Sequence, residues 1–247
     1  MENALLVGLS KQVSLQRKMD TIANNLANIN TNGFKEDRLL LEEYQMPIAR
    51  HNNFKHSDKK LSFVQDHQSF VMLDEGPLVQ TDSDTDIGIS GEGYFVVETP
   101  QGERYTRNGG FQINNEGTLV TSEGHPVLGQ GGAIQINENT SFFNVTRDGS
   151  IETNQGIQDQ LRIVRFETPE KLEKRPGTLF ETDEEPLDAV NFSIHQGMIE
   201  KSNVQPITEM VQMVEVTRAY TRLSDMLKQG ADLKKDALGQ LANAQLK

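Results

Sequence analysis

Two apolar stripes, one near each end of the chain, constrain this sequence more than anything between them. Leu15, Met19, Ile22, Leu26 and Ile29 recur at spacings of +4, +3, +4 and +3. Near the other end Met213, Val216, Tyr220, Leu223 and Leu227 recur at +3, +4, +3 and +4. Heptad spacing of this kind puts each set on one side of a helix. The pattern is less regular before Leu15, where Gly8 and Gln12 fall on the stripe. Pro206 suits the first turn of the second helix, because its missing N–H costs nothing there. Gly230 weakens that helix, though Leu233, Ala237 and Leu241 allow it to resume. Helices draw most of their stability from burying an apolar face, so each stripe needs a partner. The two can pair with one another, cap the middle of the chain, or meet other copies.

From Phe63 to Ile199 the periodicity is near two and turn signals are dense. The stretches Gly93–Thr99, Arg104–Asn114, Gly117–Thr121, Leu161–Phe166 and Asn191–Gly197 read as strands. Asn114–Gly117 (NNEG) and Arg147–Ser150 (RDGS) read as hairpin turns, since Asn, Asp and Gly tolerate positive φ. No helical run separates the strands, which disfavours a parallel sheet. The expected fold is therefore mixed α and β, with long N- and C-terminal helices around a central antiparallel β domain. Its expected divisions are an N-terminal helix over 1–35, a polar linker over 36–75, the β domain over 76–201 and a C-terminal helix over 202–247.

Composition narrows the function. A net charge of −12 disfavours capture of nucleic acid or of an anionic membrane face. No run of 18 apolar residues is present, so no membrane-inserted helix is expected. The opening MENALLVGLSKQ has no basic start and too short an apolar run for a cleaved secretory signal. The absence of Cys excludes disulfides, thiolate metal sites and a thiol nucleophile.

The candidate chemistries each fail on spacing. Asp82, Asp84 and Asp86 begin like a calcium loop, but Ile87 stands where its glycine belongs and Gly93 where its glutamate belongs. Gly88–Gly93 (GISGEG) has Glu92 in place of the second glycine of a nucleophile elbow. His51, His56, His67, His125 and His195 show no metal-ligand spacing. No catalytic residue, metal or cofactor is assigned.

The stretch Ala23–Lys35 (ANNLANINTNGFK) holds Asn24, Asn25, Asn28, Asn30 and Asn32. Asn competes for nearby backbone groups and is a mediocre helix residue, so the cluster needs compensation. One role is local. With Asn32 as C-cap, Gly33 takes the left-handed position and Phe34 meets Ile29, as in a Schellman ending. The other role is intermolecular: Asn24, Asn25 and Asn28 can join neighbouring helices while Leu26 and Ile29 stay in the seam. A frayed, solvated helix end is the plain alternative.

These residues resemble the flagellar rod and hook family of axial proteins. Ala23–Lys35 is similar to the family's N-terminal signature, Ser202–Leu227 to its C-terminal one, and Asp86–Gly129 to its β-domain segment. Met1–Lys35 resembles the proximal-rod branch most, and the hook members carry an additional outer domain. The resemblance implies a non-enzymatic subunit whose terminal helices pack as a coiled-coil inner layer. Its implied partners are copies of itself, other rod subunits and the flagellar type III export apparatus. Its implied location is the periplasmic rod of the basal body, reached without a cleaved signal. The stripe residues with Asn24, Asn25 and Asn28 become the expected assembly interface, and Asn32, Gly33 and Phe34 the expected helix end or hinge. The distal-rod branch of the same family is the near alternative, and a secreted binding module with a self-contained helical bundle is the competing class.

Overall fold

A computed structural model describes residues 2–45, 62–136, 143–154 and 156–244. The chain divides into two compact units. One comprises 1–26, 37–70 and 206–247, the other 27–36 and 71–205.

The first unit holds both terminal helices, α1 (Glu2–Ala27) and α2 (Pro206–Ala244). Proline opens α2 as its spacing predicts, and the helix runs through Gly230 despite a propensity cost of about 1 kcal/mol. Within the span read as a linker, Asp37–Gln45 and Ser62–Val71 pair as a two-stranded sheet. The run DRLLLEEYQ does not alternate, which hid the first of these strands from period-two reading. The polar centre of that expected linker, Arg50–Lys60, lies outside the described residues.

The second unit is mostly antiparallel β. Its largest sheet has six strands in the order Glu173–Arg175, Leu179–Glu181, Gly102–Thr106, Tyr94–Thr99, Ile163–Arg165, Leu187–Asp188. The hairpin Tyr94–Thr99/Gly102–Thr106 lies at its middle, with Val97 opposite Arg104. Successive residues of a strand face opposite sides, so the run YFVV supplies two cores. Phe95 and Val97 pack with Ile87, Phe111, Leu119 and Ile194 on one side. Tyr94 and Val96 pack with Tyr105, Val164, Phe166 and Phe180 on the other. Phe95 and Phe111 meet edge to face, with ring centroids 4.9 Å apart.

Both predicted turns form: Gly117 (φ 77°) donates its N–H to the Asn114 carbonyl, and Gly149 (φ 88°) to Thr146. The expected strand Arg104–Asn114 is broken, because pairing stops at Thr106 and resumes at Gln112. At the break, a Cβ on Gly109 would lie 1.7 Å from the Ile87 carbonyl oxygen. Backbone packs on backbone there, and the stretch turns to the Asp86–Ile87 segment instead, with the Ile87 N–H donating to the Gly109 carbonyl at 2.9 Å.

Candidate assembly interface

In the first unit the two predicted stripes face each other. Ile22 and Val216 are buried, while Leu15, Met19, Leu26, Met213, Tyr220, Leu223 and Leu227 are half-buried. A Cβ on Gly8 would come within 2.6 Å of Leu227 Cδ2. Gln12 Nε2 donates to the Tyr220 hydroxyl at 3.1 Å, and Thr217 Oγ1 to Met19 Sδ at 3.7 Å. Asn25 Nδ2 reaches Glu209 Oε2 at 3.4 Å. Numbers rise along α1 as they fall along α2, so the helices pair antiparallel within one chain.

That pairing leaves apolar surface uncovered. Leu6, Leu9 and Val13 are about half exposed along one line of α1. On α2, Ile207 is 78% exposed, and Met210, Val211 and Val214 are about half exposed on the same side. Spacings of three and four make each set continuous along its helix. Alanine at Ile22 or Val216 is expected to cost about 2–4 kcal/mol, because each is buried in the helix pair. The same change at half-buried Leu26 should cost less, as read from the helix signal during thermal melting.

The asparagines separate into distinct roles. Asn25 is buried, and its amide donates to the Asp37 carbonyl while accepting from the Asp37 N–H, both at 2.9 Å. Its hydrogen-bonding capacity is thus spent inside the chain, fixing α1 to the strand that follows. Asn28 Oδ1 accepts from Thr31 Oγ1, Asn32 Oδ1 accepts from Lys201 Nζ at 2.9 Å, and Asn24 is exposed. Half-buried Ile29 lies past the end of α1.

The expected helix end at Asn32, Gly33 and Phe34 needs correction. The helix stops at Ala27, where the run Asn28-Ile29-Asn30 is poor helix material. Gly33 does adopt positive φ (67°), but its N–H donates to the Glu200 carbonyl at 2.8 Å rather than closing a Schellman turn. Phe34 is buried under the Lys174 ammonium, which sits 3.5 Å from the ring centroid.

Gly33 belongs to a seam inside the second unit, where residues 27–36 lie along 200–203. Lys35 Nζ, fully buried, meets buried Glu200 Oε1 at 2.5 Å and donates to the Asp74 carbonyl at 2.7 Å. The same Glu200 oxygen accepts from the Gly76 N–H, and its other oxygen lies 3.5 Å from Arg107 Nη1. Burial pushes the Lys35 ammonium below the usual lysine value, and the attraction of Glu200 opposes that shift. Asn203 completes the seam. Its Oδ1 accepts from the Glu36 N–H, and its Nδ2 donates to the Met72 and Asp74 carbonyls. Sequence reading missed Lys35, Arg107, Glu200 and Asn203, although Lys35 and Asn203 stand inside the two terminal signatures.

Three family models match the chain: "Flagella basal body rod protein" over residues 5–35, "Flagellar hook protein FlgE/F/G D1 domain" over 88–153, and "Flagellar basal body rod FlgEFG protein C-terminal" over 195–239. The flagellar basal-body rod protein FlgF of Caulobacter vibrioides is 37% identical over 244 residues, covering 98% of either chain. The chain belongs to the flagellar basal-body rod family. FlgF of Mesorhizobium japonicum is 32% identical, over 98% of this chain and 99% of its own. FlgG of Buchnera aphidicola (Schizaphis graminum) is 33% identical, over 83% of this chain and 86% of its own. As a rod-family member this chain is a structural subunit of the flagellar basal body, and it is most like the members called FlgF. The matched rod segment ends at Lys35 and the matched C-terminal segment includes Glu200, so the buried ion pair joins one to the other.

Proposed function

We propose that this rod subunit stands in the proximal rod and assembles helically, through its paired terminal helices, with copies of itself and with other rod subunits. One observation carries the reading: each helix of an already paired couple keeps a continuous exposed apolar line, at Leu6, Leu9 and Val13 and at Ile207, Met210, Val211 and Val214. A soluble, self-contained bundle has no use for two such lines. Neighbouring subunits cover them and complete the burial of Leu15, Met19, Leu26, Ile29, Met213, Tyr220, Leu223 and Leu227, giving a coiled-coil layer. Asn24, exposed on α1, and Asn28 just beyond it add amides to that contact. A contact between unlike surfaces whose rotation does not close propagates as a helical stack able to transmit torque. Export through the flagellar type III apparatus to the periplasmic rod belongs to the same reading. The role is structural rather than enzymatic.

The FlgF-like relatives, matched along nearly their whole length, favour the proximal position; the FlgG-like relatives keep a distal one as the second reading. Micrographs of basal bodies from a strain deleted for this chain separate them. A rod missing from its base supports the proximal reading, and a rod that starts normally and stops short supports the distal one. An intact rod refutes both.

A further inference from the structure

The chain contains two Asn-Gly dipeptides, Asn32-Gly33 and Asn108-Gly109, and the seam of the second unit brings them against each other. A Cβ on Gly33 would lie 2.4 Å from the Asn108 backbone nitrogen, and one on Gly110 would lie 3.6 Å from Asn32 Nδ2. Asn-Gly is the dipeptide most open to deamidation, because glycine puts no side chain in the way of attack by its own backbone nitrogen. Asn is a thermolabile residue for this reason.

Both dipeptides are held in arrangements that block the reaction. At the first, the Gly33 N–H is engaged by the Glu200 carbonyl at 2.8 Å, and the Asn32 amide oxygen by Lys201 Nζ at 2.9 Å. At the second, Asn108 Oδ1 accepts from the Gly110 N–H at 3.0 Å and the Asn108 N–H donates to Thr106 Oγ1 at 3.0 Å. Gly109 is buried and abuts the Ile87 carbonyl, so its peptide plane has no room to turn. Ring closure needs that turn.

We propose that Asn32 is a conditional modification site, shut while residues 27–36 are docked and open to deamidation whenever the seam is undone, whereas Asn108, held by its own loop and by Ile87, opens only when the β unit itself unfolds. At Asn32 the Gly33 nitrogen gives up its proton and bonds to the side-chain Cγ. The Cγ–Nδ2 bond breaks and ammonia leaves, forming a succinimide. Water then opens the ring at either carbonyl, to aspartate or isoaspartate; no electrons are transferred. Asn108 reacts in the same way through Gly109. Aspartate at 32 places a carboxylate opposite Lys201 and is compatible with redocking. Isoaspartate inserts an extra backbone atom where Gly33 and Gly109 touch neighbouring backbone, and it prevents redocking. The seam thus keeps an irreversible record of time spent open.

The test holds the full chain at mildly alkaline pH, either folded or in concentrated guanidinium chloride, and follows each Asn-Gly peptide by mass spectrometry. Deamidation adds about one dalton, and methylation by a protein isoaspartate methyltransferase reports the isoaspartate fraction. Both sites are expected to react at least about tenfold more slowly in the folded chain, since they must wait for local opening. Equal rates in the two states overturn the proposal. Glu200→Gln, which weakens the seam and leaves both dipeptides unaltered, separates docking from burial alone: in the folded variant Asn32 is expected to speed up and Asn108 to stay slow. No change at Asn32, with exchange protection along the seam lowered, overturns the proposal.

Discussion

Replacing Glu200 with glutamine is expected to destabilise the β unit by about 3–5 kcal/mol, the cost typical of breaking a buried ion pair from one side. Glutamine keeps the shape and can still accept from the Gly76 N–H, so the change isolates the charge. It leaves two buried cations, Lys35 and Arg107, with no anion between them. Lys35→Met should cost less, because Glu200 keeps Arg107 at 3.5 Å. The double variant should fall short of the sum of the singles, as two coupled sites do. Equilibrium guanidinium unfolding, followed by β-sheet circular dichroism, reads all three.

The pH dependence follows from the same burial. The folded Lys35 value lies below its ordinary 10.5, so between those values the unfolded chain binds more protons. The lysine's contribution is complete above 10.5 and is lost as pH falls through the lowered folded value. The stability difference between the wild-type chain and Lys35→Met should therefore grow in favour of wild type as alkaline pH rises. A flat difference across that window would remove burial as the dominant influence on the ammonium.

Gly33→Val is expected to undock residues 27–36 from the β unit and to abolish rod assembly. The first cost is conformational, since a side chain at φ 67° is disfavoured by about 1–2 kcal/mol and more for a β-branched one. The second is steric. Any Cβ there meets Asn108 N at 2.4 Å and the Arg107 carbonyl carbon at 2.6 Å, and both are backbone that cannot swing aside. Gly33→Ala makes the same two contacts and should already cost about 3 kcal/mol, the upper end of the usual range for single substitutions. Exchange protection of the amide protons of residue 33 and Asn203, which donate across the seam to the Glu200 and Phe34 carbonyls, is the direct readout. Undiminished protection in Gly33→Ala refutes the packing argument.

What the sequence revealed was whatever repeats locally. The heptad spacing found both helices and the residues that line their shared face, with Ile22 and Val216 at its most buried points. The turn chemistry of Asn114–Gly117 and Arg147–Ser150 was readable because each turn satisfies its own backbone. Gly33 was read correctly as a left-handed residue for the wrong reason. Local rules offer a helix C-terminus for its N–H, whereas the fold supplies the Glu200 carbonyl from far along the chain. Lys35 and Glu200 stand 165 residues apart and share no periodicity, so nothing near either residue foretells the pair. Asn25 shows the same limit. Its amide was legible as a donor and acceptor in need of partners, yet Asp37 and Glu209 were as plausible beforehand as a second molecule.

The backbone passes from one unit to the other at four places: between Leu26 and Ala27, Glu36 and Asp37, Phe70 and Val71, and Gln205 and Pro206. Each unit is therefore built from separate stretches of the chain, so a single backbone cut at any one crossing leaves three covalent connections between the two.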